Sequence, residues 1–143
     1  MNDSNTPGAL SHLDSDGRAR MVDVSGKSET TRTAVAAGSL RTTRDVIALV
    51  RADGMPKADV LSTARIAGIA GAKRTSDLIP LCHPLPLSSV AVSFGFTDDT
   101  ITIEATAVTT GRTGVEMEAL TAVSIAGLAL HDMVKAVDPA ASI

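Results

Sequence analysis

Between Ser89 and Thr106 the chain alternates with a period of two, and no other stretch restricts the fold so tightly. Val90, Val92, Phe94 and Phe96 alternate with Ser89, Ala91, Ser93 and Gly95; after Thr97-Asp98-Asp99, Ile101, Ile103 and Ala105 alternate with Thr102, Glu104 and Thr106. Successive strand side chains point to opposite faces, so this pattern predicts a hairpin with one buried face. Pro80, Pro84 and Pro86 stand just before it and forbid helix there. A sheet with one apolar face needs a second layer to cover it.

The rest of the chain offers that layer. A weak strand is expected around Thr33 to Leu40. Thr43 can cap a helix whose Val46, Leu49 and Val50 follow i, i+3, i+4 spacing, with Asp53-Gly54 ending it. After the loop Met55-Pro56-Lys57-Ala58, a second helix starts near Asp59. Its Val60, Ala64, Ala67 and Ala70 are small enough for close approach to a neighbour, and Lys73-Arg74 suits its negative pole. A long helix is expected from about Gly114 to Val137, with Thr113 and Glu116 at capping-box spacing. This order gives an α+β class: a ferredoxin-like α/β sandwich, an antiparallel sheet with helices packed on one face. Such a fold wants a fourth strand after Val137; here the chain stops at Ile143, so that strand is expected to be short, disordered or absent. Residues 1–20, rich in Asp, Ser and Gly, read as a disordered tail ahead of a domain at 21–143.

Charge and cysteine usage narrow the partners. A net charge of −3 lacks the basic footprint of a duplex nucleic-acid binder, so an anionic ligand must be met by a local cluster of cations. The apolar runs are broken by Gly, Ser or charges, which argues against a membrane span, and the N-terminus lacks the order of a signal peptide. The single Cys82 excludes an internal disulfide and suits a reducing cytoplasm. With Phe94 and Phe96 the sole aromatics, the core must be built of Ala, Val, Ile and Leu, which bury less area per residue. Extra burial between subunits is therefore expected.

Several residues could carry chemistry. Asp132 and Lys135, three apart, share a helix face. They are either a surface ion pair worth about 0.5 kcal/mol or a partly buried acid–base couple. Glu118 shares a flank with Asp132, but at 1.5 Å per residue the two lie roughly 20 Å apart, so one site could use both only with help from a second chain. Cys82 and His83 adjoin in an extended segment, where neighbouring side chains diverge; they make poor co-ligands, and no metal site is expected from them with His12 and His131. Lys57, Arg65, Lys73, Arg74 and Lys135 are cations near loops. Gly111-Arg112-Thr113-Gly114 opens the last helix, either as an anion-binding turn or as a plain entry turn. These residues describe a small-molecule site for an anionic ligand without naming a reaction.

Four blocks together resemble the cyclic pyranopterin monophosphate synthase family, molybdenum cofactor biosynthesis protein C. They are Met21-Val22-Asp23-Val24-Ser25; Ala64-Arg65-Ile66-Ala67-Gly68-Ile69 with Ala72-Lys73-Arg74-Thr75; Asp77-Leu78-Ile79-Pro80-Leu81-Cys82-His83-Pro84-Leu85; and Thr113 to Ala122, with a shorter match at Asp132 to Val137. The resemblance implies a ferredoxin-like subunit in a homohexamer, a trimer of dimers with sites between subunits. It implies a substrate, 3′,8-cyclo-7,8-dihydroguanosine 5′-triphosphate, rearranged to cyclic pyranopterin monophosphate with release of diphosphate. By the same resemblance Asp132, Lys135 and Lys57 are the catalytic residues. Leu81, Cys82 and His83 bind substrate, as do Met117 and Glu118; Glu116 and Arg65 complete the expected site. No resident cofactor is implied, and a need for Mg²⁺ with the triphosphate stays open. The family usually continues into a closing strand and a Gly-Gly-Lys-Ser-Gly tail, which does not follow Val137 here. The competing expectation is a non-catalytic nucleotide- or phosphate-binding module of the same fold.

Overall fold

The structure is a computed structural model that describes residues 8–52 and 59–143. Along the chain run β1 (Thr30–Arg41), α1 (Arg44–Arg51), α2 (Val60–Ala72), α3 (Thr75–Leu78), β2 (Leu87–Phe96), β3 (Thr100–Gly111) and α4 (Glu116–Val134). The three strands form one antiparallel sheet in the order β1-β3-β2, with helices on one face. This is the α+β arrangement expected.

The alternating pattern is realised as a hairpin. Phe94 pairs with Ile103 and Val92 with Ala105, and the turn closes with the Thr97 amide donating to the Thr100 carbonyl at 2.9 Å. β1 lies on the other side of β3, with Leu40 opposite Ile101 and Ala36 opposite Ala105. Cross-strand partners share a face, so these residues line one side of the sheet, where Leu40, Ile101, Ile103, Ala105 and Ala107 are fully buried. The opposite face carries Ser, Thr and Ala with Glu104, and it is largely open.

α4 covers β1 and β3, and α2 packs beside α4 against β2. The helices come this close because of glycine. A Cβ at Gly68 would lie 2.8 Å from the Ala122 carbonyl oxygen, and one at Gly71 2.7 Å from Ile125 Cγ1. The buried line on α2 is thus Val60, Ala64, Gly68 and Gly71; Ala67 and Ala70, expected at this contact, lie off it. α1 starts as expected, with Thr43 accepting from the Val46 amide at 3.2 Å; Val46 and Val50 are buried, Leu49 is partly buried, and Ile47, outside the expected spacing, is buried with them. Asp53-Gly54, given above as its stop, lie outside the described residues.

α4 departs from expectation at both ends. It begins at Glu116 rather than Gly114, and Val115 caps it without a side-chain bond. The capping box fails because the Glu116 carboxylate turns back against Gly114, where an added Cβ would strike it. The helix ends at Val134, and the chain returns so that Arg41 and Ser142 exchange backbone bonds of 2.7 and 3.0 Å on the edge of β1 away from β3. That is where a fourth strand of a ferredoxin-like sheet would pair. By length and composition the 19 residues of α4 could cross a membrane. Ten of them are instead buried under the sheet and α2, as in a core helix.

Candidate functional site

One recess gathers most of the expected residues. A cavity of about 120 Å³ is lined by Leu81, Cys82 and His83 from the proline-rich segment, and by Glu116, Met117 and Glu118 from the start of α4. Leu85, Thr113, Gly114 and His12 complete it. The prolines explain the first wall: Pro80 stops α3 at Leu78, and Pro84 and Pro86 keep the chain extended until β2 begins. The Thr109 hydroxyl, buried in β3, donates to the Pro86 carbonyl and fixes where that segment meets the sheet. The second wall is the uncapped first turn of α4, whose amides face outward from the helix end.

The electrostatics inside follow from burial. Glu118 is 5% exposed. Loss of water pushes its carboxyl above the usual range, and the neighbouring Glu116 charge adds to the rise. Burial also raises the Cys82 thiol, with the Glu118 charge as a smaller cause. Cys82 is therefore a packed thiol rather than a reactive thiolate. In the Met21–Ser25 block, Asp23 accepts from the Ser25 amide at 2.9 Å, and that bond holds its carboxyl below the usual range. The His83 imidazole contributes less in the same direction.

The other expected residues lie elsewhere. Asp132 and Lys135 form an ion pair of 2.8 Å near the far end of α4, each side chain 56% exposed. Within one chain they do not reach the cavity. Arg65, on α2, donates from Nε to the Val92 carbonyl at 3.0 Å and lays its guanidinium 5.6 Å from the Phe94 ring centre. It ties α2 to β2 and does not line the cavity. Lys57 lies outside the described residues. Among the described residues no cluster of three or more His, Cys, Asp or Glu has the closeness of a metal site. A larger recess of about 330 Å³ crosses the open sheet face near Ser93, Gly95, Thr102 and Glu104. Among the described residues it offers one carboxylate and no cation, so they have little to hold a phosphorylated ligand.

Two features were not anticipated. His12 joins the cavity from a segment read as a tail, and nothing in its polar surroundings marks it as a site residue. Along the outside of α4, Met117, Leu120, Ser124 and Leu128 form a line at spacings of three and four; Leu120 and Leu128 are 46% and 59% exposed. That stripe runs from the cavity to the Asp132–Lys135 pair.

The chain is similar to known proteins along nearly its whole length. Residues 21–143 match the MoaC family. A Streptomyces griseus protein named cyclic pyranopterin monophosphate synthase is 61% identical over 138 residues, covering 96% of this chain and 78% of its own length. A Mycobacterium tuberculosis H37Rv protein named cyclic pyranopterin monophosphate synthase 2 is 61% identical over 136 residues, 95% of this chain and 81% of its own. A Nocardioides protein named cyclic pyranopterin monophosphate synthase is 57% identical over 141 residues, 96% and 86% respectively. A likeness covering 96% of the chain must include residues 8–20, ahead of the family match.

Proposed function

This chain belongs to the MoaC family, and we propose that it is a cyclic pyranopterin monophosphate synthase whose site is completed by a second subunit. It converts 3′,8-cyclo-7,8-dihydroguanosine 5′-triphosphate to cyclic pyranopterin monophosphate and diphosphate, a step of molybdenum cofactor biosynthesis. The observation that carries the site assignment is the single cavity holding Leu81, Cys82, His83, Glu116, Met117 and Glu118.

The chemistry suits these groups. The guanine-derived ring presents N–H donors, which the carboxylates of Glu116 and Glu118 can accept, while Leu81 and Met117 supply apolar walls. Among the described residues the cavity lining contains no lysine or arginine, so the triphosphate calls for cations from beyond that lining. Lys135 and Lys57 fill that role, neutralising charge on the departing diphosphate. Asp132, paired with Lys135, moves protons as the purine-derived ring opens and recloses. Acid–base and electrostatic catalysis suffice for these steps without a resident cofactor.

Glu118 and Asp132 are separated by roughly 20 Å of helix, so the two halves come from different chains. Two copies of α4 laid antiparallel along the exposed stripe would set Lys135 of the partner subunit beside Met117. We place this pairing within a homohexamer, a trimer of dimers, in the reducing cytoplasm that a lone thiol suits.

The test is turnover of the cyclic dihydro-GTP substrate, read as diphosphate release. Asp132→Asn and Lys135→Ala should each reduce it by about 10²–10⁴-fold, the range of a lost general acid or base. Assembly and thermal unfolding should stay unchanged, since an exposed pair is worth about 0–1 kcal/mol. Substrate binding without diphosphate release by the unaltered protein would instead favour the non-catalytic module.

A further inference from the structure

Residues 8–20 precede the family match, and their polar composition gives no reason to expect one shape. Holding a backbone in one conformation costs about 1–2 kcal/mol per residue, so a fixed shape needs specific bonds. The segment has them. The Asp14 carboxylate accepts from the amides of Asp16 and Arg18, each at 2.9 Å, and from Arg18 Nε at 3.0 Å. Leu13 bridges Ala19, the Asp14 amide donates to the Arg18 carbonyl at 2.8 Å, and the Arg20 amide donates to the His12 carbonyl at 2.7 Å. The result is a small hairpin that brings His12 into the lining of the cavity with Cys82, His83 and Glu118.

The imidazole is oriented as well as placed. His12 Nδ1 lies 3.2 Å from the Arg20 carbonyl oxygen. A carbonyl oxygen accepts and cannot donate, so Nδ1 carries the proton and Nε2 is the ring nitrogen left for a ligand. Among the described residues the cavity it borders is lined by Glu116 and Glu118 with no lysine or arginine, a lining that repels phosphate and attracts N–H groups.

We propose that His12 is a substrate-binding residue: the N-terminal hairpin closes the cavity over the purine-derived ring, and Nε2 accepts a hydrogen bond from one of that ring's N–H groups. This rests on the cavity being the ring-binding half of the synthase site. It assigns to residues 8–20 a part in substrate recognition, where the sequence suggested a tail.

The experiment compares His12→Ala, His12→Gln and the unaltered full chain in turnover and in direct binding of two probes, guanosine and inorganic tripolyphosphate. His12→Ala should raise KM and weaken guanosine binding about tenfold, the value of one hydrogen bond to a buried edge. kcat, tripolyphosphate binding and the melting temperature should stay within about twofold or nearly unshifted, because His12→Ala removes from the hairpin only the exposed Nδ1 bond to the Arg20 carbonyl and leaves the Asp14 and backbone bonds in place. His12→Gln, whose Oε1 can take the place of Nε2, should recover much of the loss. Unchanged KM and guanosine affinity in His12→Ala would overturn the assignment, and so would an equal loss of tripolyphosphate affinity, which would put His12 on the phosphates. Guanosine binding is read without turnover, so it decides the role of His12 even if the unaltered chain releases no diphosphate, a result that would overturn the enzymatic reading instead.

Discussion

Glu118 pays a desolvation penalty at neutral pH, and its sign is measurable. Burial raises its folded carboxyl above the ordinary value of 4.5. Through the window from that value upward, the folded chain holds a proton that the unfolded chain has lost, so stability falls as pH rises. An amide cannot ionise. Glu118→Gln should therefore be more stable than the unaltered chain at pH 7.5, and the gain should vanish below about pH 4, where both carboxyl states are protonated. Urea midpoints at the two pH values give the comparison, and a gain that is the same at both would show that packing rather than charge is responsible. The same substitution should lower turnover, because Gln loses the carboxylate charge and exchanges one of its two acceptor oxygens for an NH2 donor at the ring N–H groups. The carboxylate at 118 was legible from resemblance, as were Leu81, Cys82 and His83, because those blocks are long and distinctive. His12 was not. A histidine among Ser, Leu and Asp carries no spacing signal, and its placement depends on the bonds of Asp14 and Arg20, which join residues four and eight positions apart.

At the level of elements, the hairpin and α1 were readable because their patterns have one solution. Period-two alternation fixes a face, and a hydroxyl at Thr43 ahead of Val46 fixes a start. The α2–α4 contact was harder. In Val60–Ala72 nearly every residue is small or aliphatic, so alanine at 67 and 70 and glycine at 68 and 71 are equally compatible with a buried face. Geometry chose glycine because the Ala122 carbonyl approaches Gly68 too closely for a Cβ. Gly68→Ala tests this. In an open helix the change would gain about 1 kcal/mol of helix propensity. Here the methyl meets backbone, which cannot rotate away, and overpacking of this kind costs about 1–3 kcal/mol. A net loss of stability in urea unfolding is the expected outcome; a gain would mean that α2 and α4 are further apart. The start of α4 was misread for a related reason: Thr113 and Glu116 satisfy the capping spacing, but Glu116 folds back onto Gly114 and the helix opens uncapped beside the cavity.

For the whole molecule, the proposed site has two halves that α4 holds apart by its own length. The cavity with Glu118 sits at one end and the Asp132–Lys135 pair at the other, and the stripe between them exposes Leu120 and Leu128. A chain with two aromatic residues has little core to spare, so the apolar surface left uncovered on this central helix is where the proposed second copy would pack. Mixed assemblies can decide between a site within one chain and a site shared by two. Glu118→Gln damages the cavity half, and Lys135→Ala damages the cationic half, so each variant alone should be nearly inactive. If both halves came from one chain, co-expressing the two variants would leave every site damaged and restore nothing. If the halves come from two chains about a twofold axis, each mixed pair holds one doubly damaged site and one intact site. Random pairing then returns about a quarter of the unaltered activity, because half of the pairs are mixed and half of their sites are whole. Leu128→Glu in both variants places like charges where the two helices meet, and should remove that recovered activity by preventing the pairing.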